Sequence, residues 1–142
     1  MTKQKGLYLK GKWSNDANLF AVLRCSEIAQ TELDEQVSIM RSQHGPSLCQ
    51  DLLTCYLAGK EYVYDPFNIT RLIHLGRLDQ TSLVESVTQK KYGAVEIRDN
   101  EMGMLEDHYA SERFPLPVLL ALKTQYHPVY YQDGFRILLP NP

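Results

Sequence analysis

The chain has 142 residues, of which 44% are hydrophobic and 23% are charged, and its net charge is −2 at pH 7. This length fits one domain, whose folding would bury about two-thirds of the surface that the unfolded chain exposes. Acidic and basic residues are interleaved, without the stripe of Lys and Arg that displaces counterions from DNA or RNA. The composition therefore indicates a globular domain and excludes a nucleic acid as the expected partner.

The amino-terminal part is predicted to contain an extension and a helical segment. We interpret residues 1–16 as a strand and loop extension and residues 17–142 as a single α/β domain. From Ala17 onward, apolar residues recur at helical spacing, which predicts either one long helix or two. The segment ends at His44-Gly45-Pro46, where Gly and Pro both stop a helix.

Three short apolar runs dominate the middle of the chain, at residues 47–50, 61–64 and 92–97. Helix-like segments follow the first two runs, and this alternation predicts a mainly parallel sheet flanked by helices. We expect the run 92–97, the most strand-like of the three, to be central. The segment 99–111 is polar and acidic, and we interpret it as a mobile loop or a loose helix.

The carboxy-terminal part predicts a helix and a hairpin. Pro115 and Pro117 would open the last helix, because Pro is tolerated in a first helical turn. The turn Gln132-Asp133-Gly134 lies between two β-rich arms, which is typical of an antiparallel hairpin. The complete prediction is an α/β, three-layer architecture with a small, mainly parallel sheet of about five strands and the hairpin at one edge.

Neither the apolar stretches nor the cysteines indicate a membrane span or a metal site. The longest apolar stretch, residues 114–122, is far shorter than the ~20 residues that a spanning helix needs. The three cysteines, Cys25, Cys49 and Cys55, are odd in number and lack metal-ligand spacing. We expect Cys49 and Cys55 to be small buried residues rather than a disulfide or ligands. A stand-alone chain of this kind would be cytoplasmic.

Candidate ligand-binding residues follow from the predicted sheet. Ligands bind outside the carboxyl ends of parallel strands, where Asp51 and Asp65 would lie near the segment 99–111. Arg113 follows that segment and could hold an anionic group such as a phosphate, although a salt bridge that anchors the last helix is the favoured interpretation. No catalytic residue, metal site or cofactor is assigned.

A competing hypothesis is a small metal-dependent hydrolase or nuclease. Asp51, Asp65 and Glu96 could gather at one sheet edge and hold Mg²⁺ or Ca²⁺ through their oxygens. Against this, Asp65 can cap a helix, and Glu96 can point to solvent or pair with Arg98. We favour these structural roles. A stand-alone protein-interaction module is a third hypothesis.

The order of motifs resembles the soluble carboxy-terminal region of bacterial multi-spanning glycosyltransferase-like membrane proteins. These form the dolichyl-phosphate-mannose mannosyltransferase-like group of the GT-C class, and the resemblance covers roughly residues 33–140. The motifs that carry it are residues 45–51, Ala58-Gly59-Lys60, Tyr64-Asp65-Pro66-Phe67, Gly76-Arg77-Leu78-Asp79, residues 92–97, Glu112-Arg113-Phe114 and residues 126–140.

The resemblance implies a non-catalytic accessory domain that positions an acceptor or supports the membrane portion. Such a domain would face the extracytoplasmic (periplasmic) side, and its partner would be the membrane portion of the parent or a sugar or lipid-phosphate ligand. In that family the catalytic carboxylate belongs to the membrane part, so no catalytic residue carries over. Gln50 stands where the family has an acidic residue before Asp51.

Overall fold

The computed structural model describes residues 16–61, 63–98, 113–132 and 134–142, which form a mixed α/β structure. The predicted extension up to residue 15 and the segment 99–111 lie outside these residues. Five helices and four strands occur in the described part, in the order α1 (Asp16–Ser42), β1 (Ser47–Cys49), α2 (Leu52–Leu57), α3 (Pro66–His74), α4 (Thr81–Thr88), β2 (Ala94–Arg98), α5 (Leu116–Gln125), β3 (Tyr126–Gln132) and β4 (Phe135–Pro140).

The sheet is mixed, with the strand order β1-β2-β4-β3. β1 pairs in parallel with β2, whereas β4 pairs antiparallel with both β2 and β3. The prediction of a mainly parallel sheet was therefore wrong, although the predicted strands near 47–50 and 92–97 are present and the carboxy-terminal hairpin is confirmed. β2 lies inside the sheet, as expected for the most strand-like run.

The predicted strand at residues 61–64 is one source of the error. Glu61 and residues 63–65 belong to no strand, and residue 62 lies outside the described part. Val63 is exposed and Tyr64 is buried, while Asp65 already caps α3. Because β-propensity reflects the fit of a side chain to a pleated, half-buried surface, a run of aromatic and branched residues can serve equally as a link between two helices.

Two hydrophobic clusters contain the buried apolar side chains of the described residues. The first includes Leu83 and Val87 of α4 with Val118, Leu119 and Leu122 of α5. The second includes Val37 and Met40 of α1 with Cys55 and Ala58 of the α2 region. Neighbouring strand residues enter different clusters, as shown by the pairs Leu48 and Cys49, Val95 and Ala94, and Leu138 and Ile137. This alternation follows from side chains that point to opposite faces of a strand.

By its internal contacts the chain divides into two units, Met1–Thr31 and Glu32–Pro142. The second unit contains the sheet, both clusters and helices α2 to α5. The domain boundary after residue 16 and the three-layer arrangement stay predictions. Among the helices of the described part, none combines the length and the apolar character that crossing a bilayer requires.

Substitution of Gly93 tests how closely the residue before β2 approaches the backbone that follows α1. Its N–H donates to the carbonyl oxygen of Pro46 at 2.9 Å, and a methyl group on its Cα would overlap the backbone carbonyl of His44. We therefore expect Gly93→Ala to lower the free energy of unfolding by about 1–3 kcal/mol, the usual cost of overpacking. Urea denaturation measures this change. A stabilised variant, the normal result where Ala fits, would contradict the close approach.

Candidate functional site

A polar cleft of about 170 Å³ lies at the carboxyl ends of the parallel pair β1 and β2. Gln50 and Asp51 follow β1, Arg98 ends β2, and Arg113 precedes α5; these four residues line the cleft. The parallel pairing brings the first three together, because the ends of parallel strands meet at one edge of a sheet. The cleft therefore combines two guanidinium groups with a carboxylate and an amide.

The turn after β1 is fixed by hydrogen bonds to β2. The Gln50 N–H donates to the carbonyl oxygen of Glu96 at 3.0 Å, and the Arg98 N–H donates to Oε1 of Gln50 at 2.8 Å. Oδ1 of Asp51 accepts a hydrogen bond from the Leu53 N–H at 3.0 Å and so caps α2. Hydrogen bonds within the protein thus fix the positions of Gln50 and Asp51.

The buried side chain of Glu96 holds this turn in place through hydrogen bonds. Its side chain is 0% exposed, Oε2 accepts a hydrogen bond from the Asp51 N–H at 2.8 Å, and Oε1 accepts one from the Thr54 hydroxyl at 3.4 Å. Burial, with a smaller contribution from the Asp51 charge, raises the pKa of Glu96 to about 7, although the hydrogen bonds act in the opposite direction. The expectation that Glu96 points to solvent was wrong.

A disulfide joins Cys49 at the end of β1 to Cys55 in α2. The prediction of two small buried residues was correct about burial, since both are buried, and wrong about the bond. Six positions separate the cysteines, and α2 turns back over β1 so that their Cα atoms lie 5.9 Å apart, within the range that a disulfide spans. The bond therefore fixes α2 beside the cleft.

Each arginine of the cleft lies over an aromatic ring. Cζ of Arg98 is 5.1 Å from the centre of the Phe135 ring, and Cζ of Arg113 is 5.0 Å from that of Phe67. The carbonyl oxygen of Arg113 also accepts a hydrogen bond from the buried Thr70 hydroxyl at 2.7 Å. Stacking on a ring restricts a guanidinium group while keeping its full charge, so both charges are held at the cleft.

Asp65 has a structural role instead of a place in the cleft. It is the N-cap of α3: its Oδ1 accepts a hydrogen bond from the Asn68 N–H at 3.2 Å, and its Oδ2 accepts one from the Asn68 side chain at 2.6 Å. Of the three predicted binding residues, the structure thus brings Asp51 and Arg113 together and places Asp65 elsewhere. Asp65 acts on the cleft indirectly, because α3 carries the Phe67 that contacts Arg113.

The metal hypothesis lacks its site in the described structure. In residues 16–61, 63–98, 113–132 and 134–142, no group of three or more His, Cys, Asp or Glu residues is arranged to hold an ion. Asp65 caps α3, and the Glu96 carboxylate faces the Asp51 N–H and Thr54. These contacts account for both carboxylates without a metal.

The capping role of Asp65 predicts different effects for two substitutions. Asp65→Ala is expected to lower the free energy of unfolding by about 1 kcal/mol, whereas Asp65→Asn, which keeps a capping oxygen, should change it little. Thermal and urea denaturation of both variants measure this. A stable Asp65→Ala variant would show that the cap does not stabilise α3, and equal losses in both variants would show that the charge of Asp65, instead of its capping oxygen alone, stabilises the helix.

Gln50 and Arg98 line the cleft but were not among the candidate binding residues that the sequence indicated. Their positions in the sequence could have indicated a place at the cleft, since Arg98 directly follows the strand-like run 92–97 and Gln50 directly precedes Asp51. Comparison of the chain with protein-family models, with curated proteins and with solved structures finds no match. Inference about function therefore depends on the cleft and on the motif resemblance.

Proposed function

We propose that this chain is a non-catalytic accessory domain of a membrane glycosyltransferase-like protein and binds a sugar phosphate or lipid-linked sugar phosphate in the cleft. The observation that carries the proposal is the pairing of Arg98 and Arg113 in one cleft of about 170 Å³. Guanidinium groups bind phosphate through paired N–H donors and retain their charge at any physiological pH. On this proposal the domain positions an acceptor or a carrier headgroup for the membrane portion.

The volume of the cleft limits which part of a ligand can bind there. A cavity of about 150 Å³ accommodates a molecule the size of benzene, so a cleft of about 170 Å³ has room for a phosphate group and adjoining sugar atoms. A long lipid chain would have to lie outside it. The charged headgroup is therefore the part of a lipid phosphate that this cleft would recognise.

Gln50 and Asp51 favour a sugar phosphate over a bare phosphate ion. Both carry acceptor oxygens, and hydroxyl groups on a ligand can donate hydrogen bonds to these oxygens and so offset the repulsion between the Asp51 carboxylate and a phosphate. Sugar hydroxyls supply such donors. We expect a sugar 1-phosphate to bind more tightly than inorganic phosphate.

The disulfide and the distribution of buried residues support two further parts of the proposal. Disulfides persist in oxidising compartments and are rare in the cytosol, so the Cys49–Cys55 bond favours the extracytoplasmic side. Strand residues that alternate between the two hydrophobic clusters favour the three-layer arrangement. A genomic reading frame with many apolar spans upstream of Met1 is the expected context, and its absence would favour a stand-alone interaction module.

Substitution of the two arginines tests the binding site. With glucose 1-phosphate as the probe, Arg98→Ala and Arg113→Ala are each expected to weaken binding about tenfold or more, because a hydrogen bond to a charged group contributes about 1.5–3 kcal/mol. NMR titration gives the Kd, and the shifts should cluster at residues 50, 51, 98 and 113.

The matched control is Arg77→Ala, which removes the same charge from an exposed residue that does not line the cleft. It should leave the Kd unchanged. Equal effects of all three substitutions would indicate general charge attraction, and shifts clustered elsewhere would overturn the proposed site. Tight binding of inorganic phosphate alone would contradict the role given to Gln50 and Asp51.

A further inference from the structure

A buried carboxyl group lies directly behind the polar cleft. Glu96 precedes Arg98 by two positions in β2, and its Oε2 accepts a hydrogen bond at 2.8 Å from the N–H of Asp51, which lines the cleft. Residues two apart in a strand lie on the same face, and their Cα atoms are less than about 7 Å apart. The Glu96 carboxyl group therefore lies within the distance of about 10 Å over which charges interact in physiological salt.

Hydrogen-bond donors and a second carboxylate face the Glu96 carboxyl group. In the described part of the chain, the groups that act on it are the N–H groups of Asp51 and Gln50, the Asp51 carboxylate and the Thr54 hydroxyl. The basic residue of the same strand, Arg98, has its guanidinium group over an aromatic ring. Among the groups that act on Glu96, the one that carries a charge is thus the Asp51 carboxylate, which is negative and opposes the ionisation of Glu96.

The elements packed around Glu96 provide apolar or non-titrating neighbours. Its strand partners are Cys49 of β1, whose sulfur is in the disulfide, and Ile137 of β4. The hydrophobic cluster that contains both partners also includes Val37 and Met40 of α1. Burial in such surroundings favours the neutral form of a carboxyl group, in agreement with the raised pKa of Glu96, about 7. Glu96 therefore gains or loses its proton near neutral pH.

An anion bound between Arg98 and Arg113 would be repelled by the ionised form of Glu96 and not by the neutral form. We propose that Glu96 couples phosphate binding in the polar cleft to the uptake of a proton, so that the phosphate group binds more tightly while Glu96 is protonated and more weakly after it ionises. Because coupling between two sites is reciprocal, the bound phosphate also strengthens proton binding by Glu96. This inference rests on the phosphate site proposed above and adds its regulation by pH.

A ligand of constant charge tests the coupling. The methyl diester of glucose 1-phosphate keeps a single negative charge from pH 5.5 to 8.5, whereas a phosphate monoester changes its charge near pH 6. NMR titration of the full chain is expected to give a Kd about fivefold larger at pH 8.5 than at pH 5.5. Calorimetry in buffers of different ionisation enthalpy should show the uptake of about 0.4 proton per bound ligand between pH 7 and 7.5, as a fivefold coupling requires.

Two substitutions assign the effect to Glu96. Glu96→Gln, which cannot ionise, should bind the diester with a Kd that no longer depends on pH. Thr54→Val removes a hydrogen bond that lowers the pKa of Glu96, so it should move the pH dependence to higher pH without abolishing it. The matched control is Glu85→Gln, which removes the same charge from an exposed residue of α4 and should keep the pH dependence unchanged.

The possible outcomes separate the coupling from the phosphate site itself. Saturable binding of the diester in the cleft with the same Kd at pH 5.5 and 8.5 would overturn the coupling and leave the phosphate site in place. A pH dependence that persists in Glu96→Gln, or that Thr54→Val does not move, would also overturn the coupling. If the diester shows no saturable binding at either pH, the phosphate site is overturned and the coupling with it.

Discussion

Replacing Glu96 by Gln is expected to stabilise the protein by roughly 3 kcal/mol above pH 8 and to leave its stability unchanged near pH 4. The carboxyl group is buried, and its pKa is raised from 4.5 to about 7. A pKa that is one unit higher in the folded than in the unfolded protein corresponds to about 1.4 kcal/mol in the free energy of unfolding. A Gln side chain can accept from the Asp51 N–H and donate to the Thr54 hydroxyl, so it keeps the contacts of Glu96 without its charge.

The direction of the pH dependence follows from proton binding. Between pH 4.5 and about 7, folded Glu96 holds a proton that the unfolded chain has released. Stability therefore falls as pH rises through this window, by about 1.4 kcal/mol per unit, and is constant with respect to this group outside it. The Glu96→Gln variant should lose this slope.

Urea denaturation from pH 4 to 9 checks the expectation. Glu85→Gln serves as the control, because Glu85 is an exposed acidic residue on α4 and its substitution removes the same charge. That variant should keep the slope of the unsubstituted protein. A slope that survives in Glu96→Gln would mean that another group titrates in the window.

Removing the Cys49–Cys55 disulfide is the second substitution with a large expected effect. The bond closes a loop across a sequence separation of six, for which the loop entropy of the unfolded chain corresponds to roughly 2–3 kcal/mol. The double variant Cys49→Ala/Cys55→Ala is expected to lose about this much stability in urea denaturation. Binding of glucose 1-phosphate in the cleft is also expected to weaken, since Asp51 of the cleft is the N-cap of α2.

A reductant provides the control for this prediction. It should lower the stability of the unsubstituted protein by a similar amount once the disulfide is reduced during unfolding. It should not change the stability of the double variant, which lacks this bond. An unchanged urea midpoint in the double variant would contradict the role of the disulfide.

The hairpin and most of the helix ends were predictable because local chemistry decides them. An Asp-Gly turn favours the tight reversal between β3 and β4, and Gly134 has a φ of +75°, which Gly adopts at little cost. Asp65-Pro66 starts α3 by a cap and a fixed φ. These signals act within a few residues, so they are readable from a single sequence.

The strand pairing was not predictable, because it depends on partners that are distant in the chain. β4 inserts beside β2 and pairs antiparallel with it through residues such as Ile137 and Glu96. Nothing local to residues 135–140 distinguishes this position from an edge. The disulfide was missed for a related reason, since Cys49 and Cys55 meet only because α2 folds back onto β1.

The candidate site was predicted in part, since a general rule placed Asp51 at a strand end. Arg113 was singled out for its position before the last helix, and both residues line the cleft. Asp65 was misplaced because the strand expected before it does not form. Glu96 shows that the alternation of polar and apolar residues does not always indicate which side chains of a strand are buried. This charged residue lies within β2, yet it is buried and accepts hydrogen bonds from another part of the chain.

The irregular register of β3 has a consequence for self-association. β3 is an outer strand of the sheet, its pairing with β4 shifts between Pro128 and Tyr130, and Pro128 has no N–H to donate. A proline and a bulge on an outer strand deny a neighbouring chain the regular ladder needed for strand addition. We therefore expect the β3 edge to resist fibril growth at high protein concentration, even though Val129 and Tyr131 of this strand are exposed. Thioflavin fluorescence can follow fibril growth.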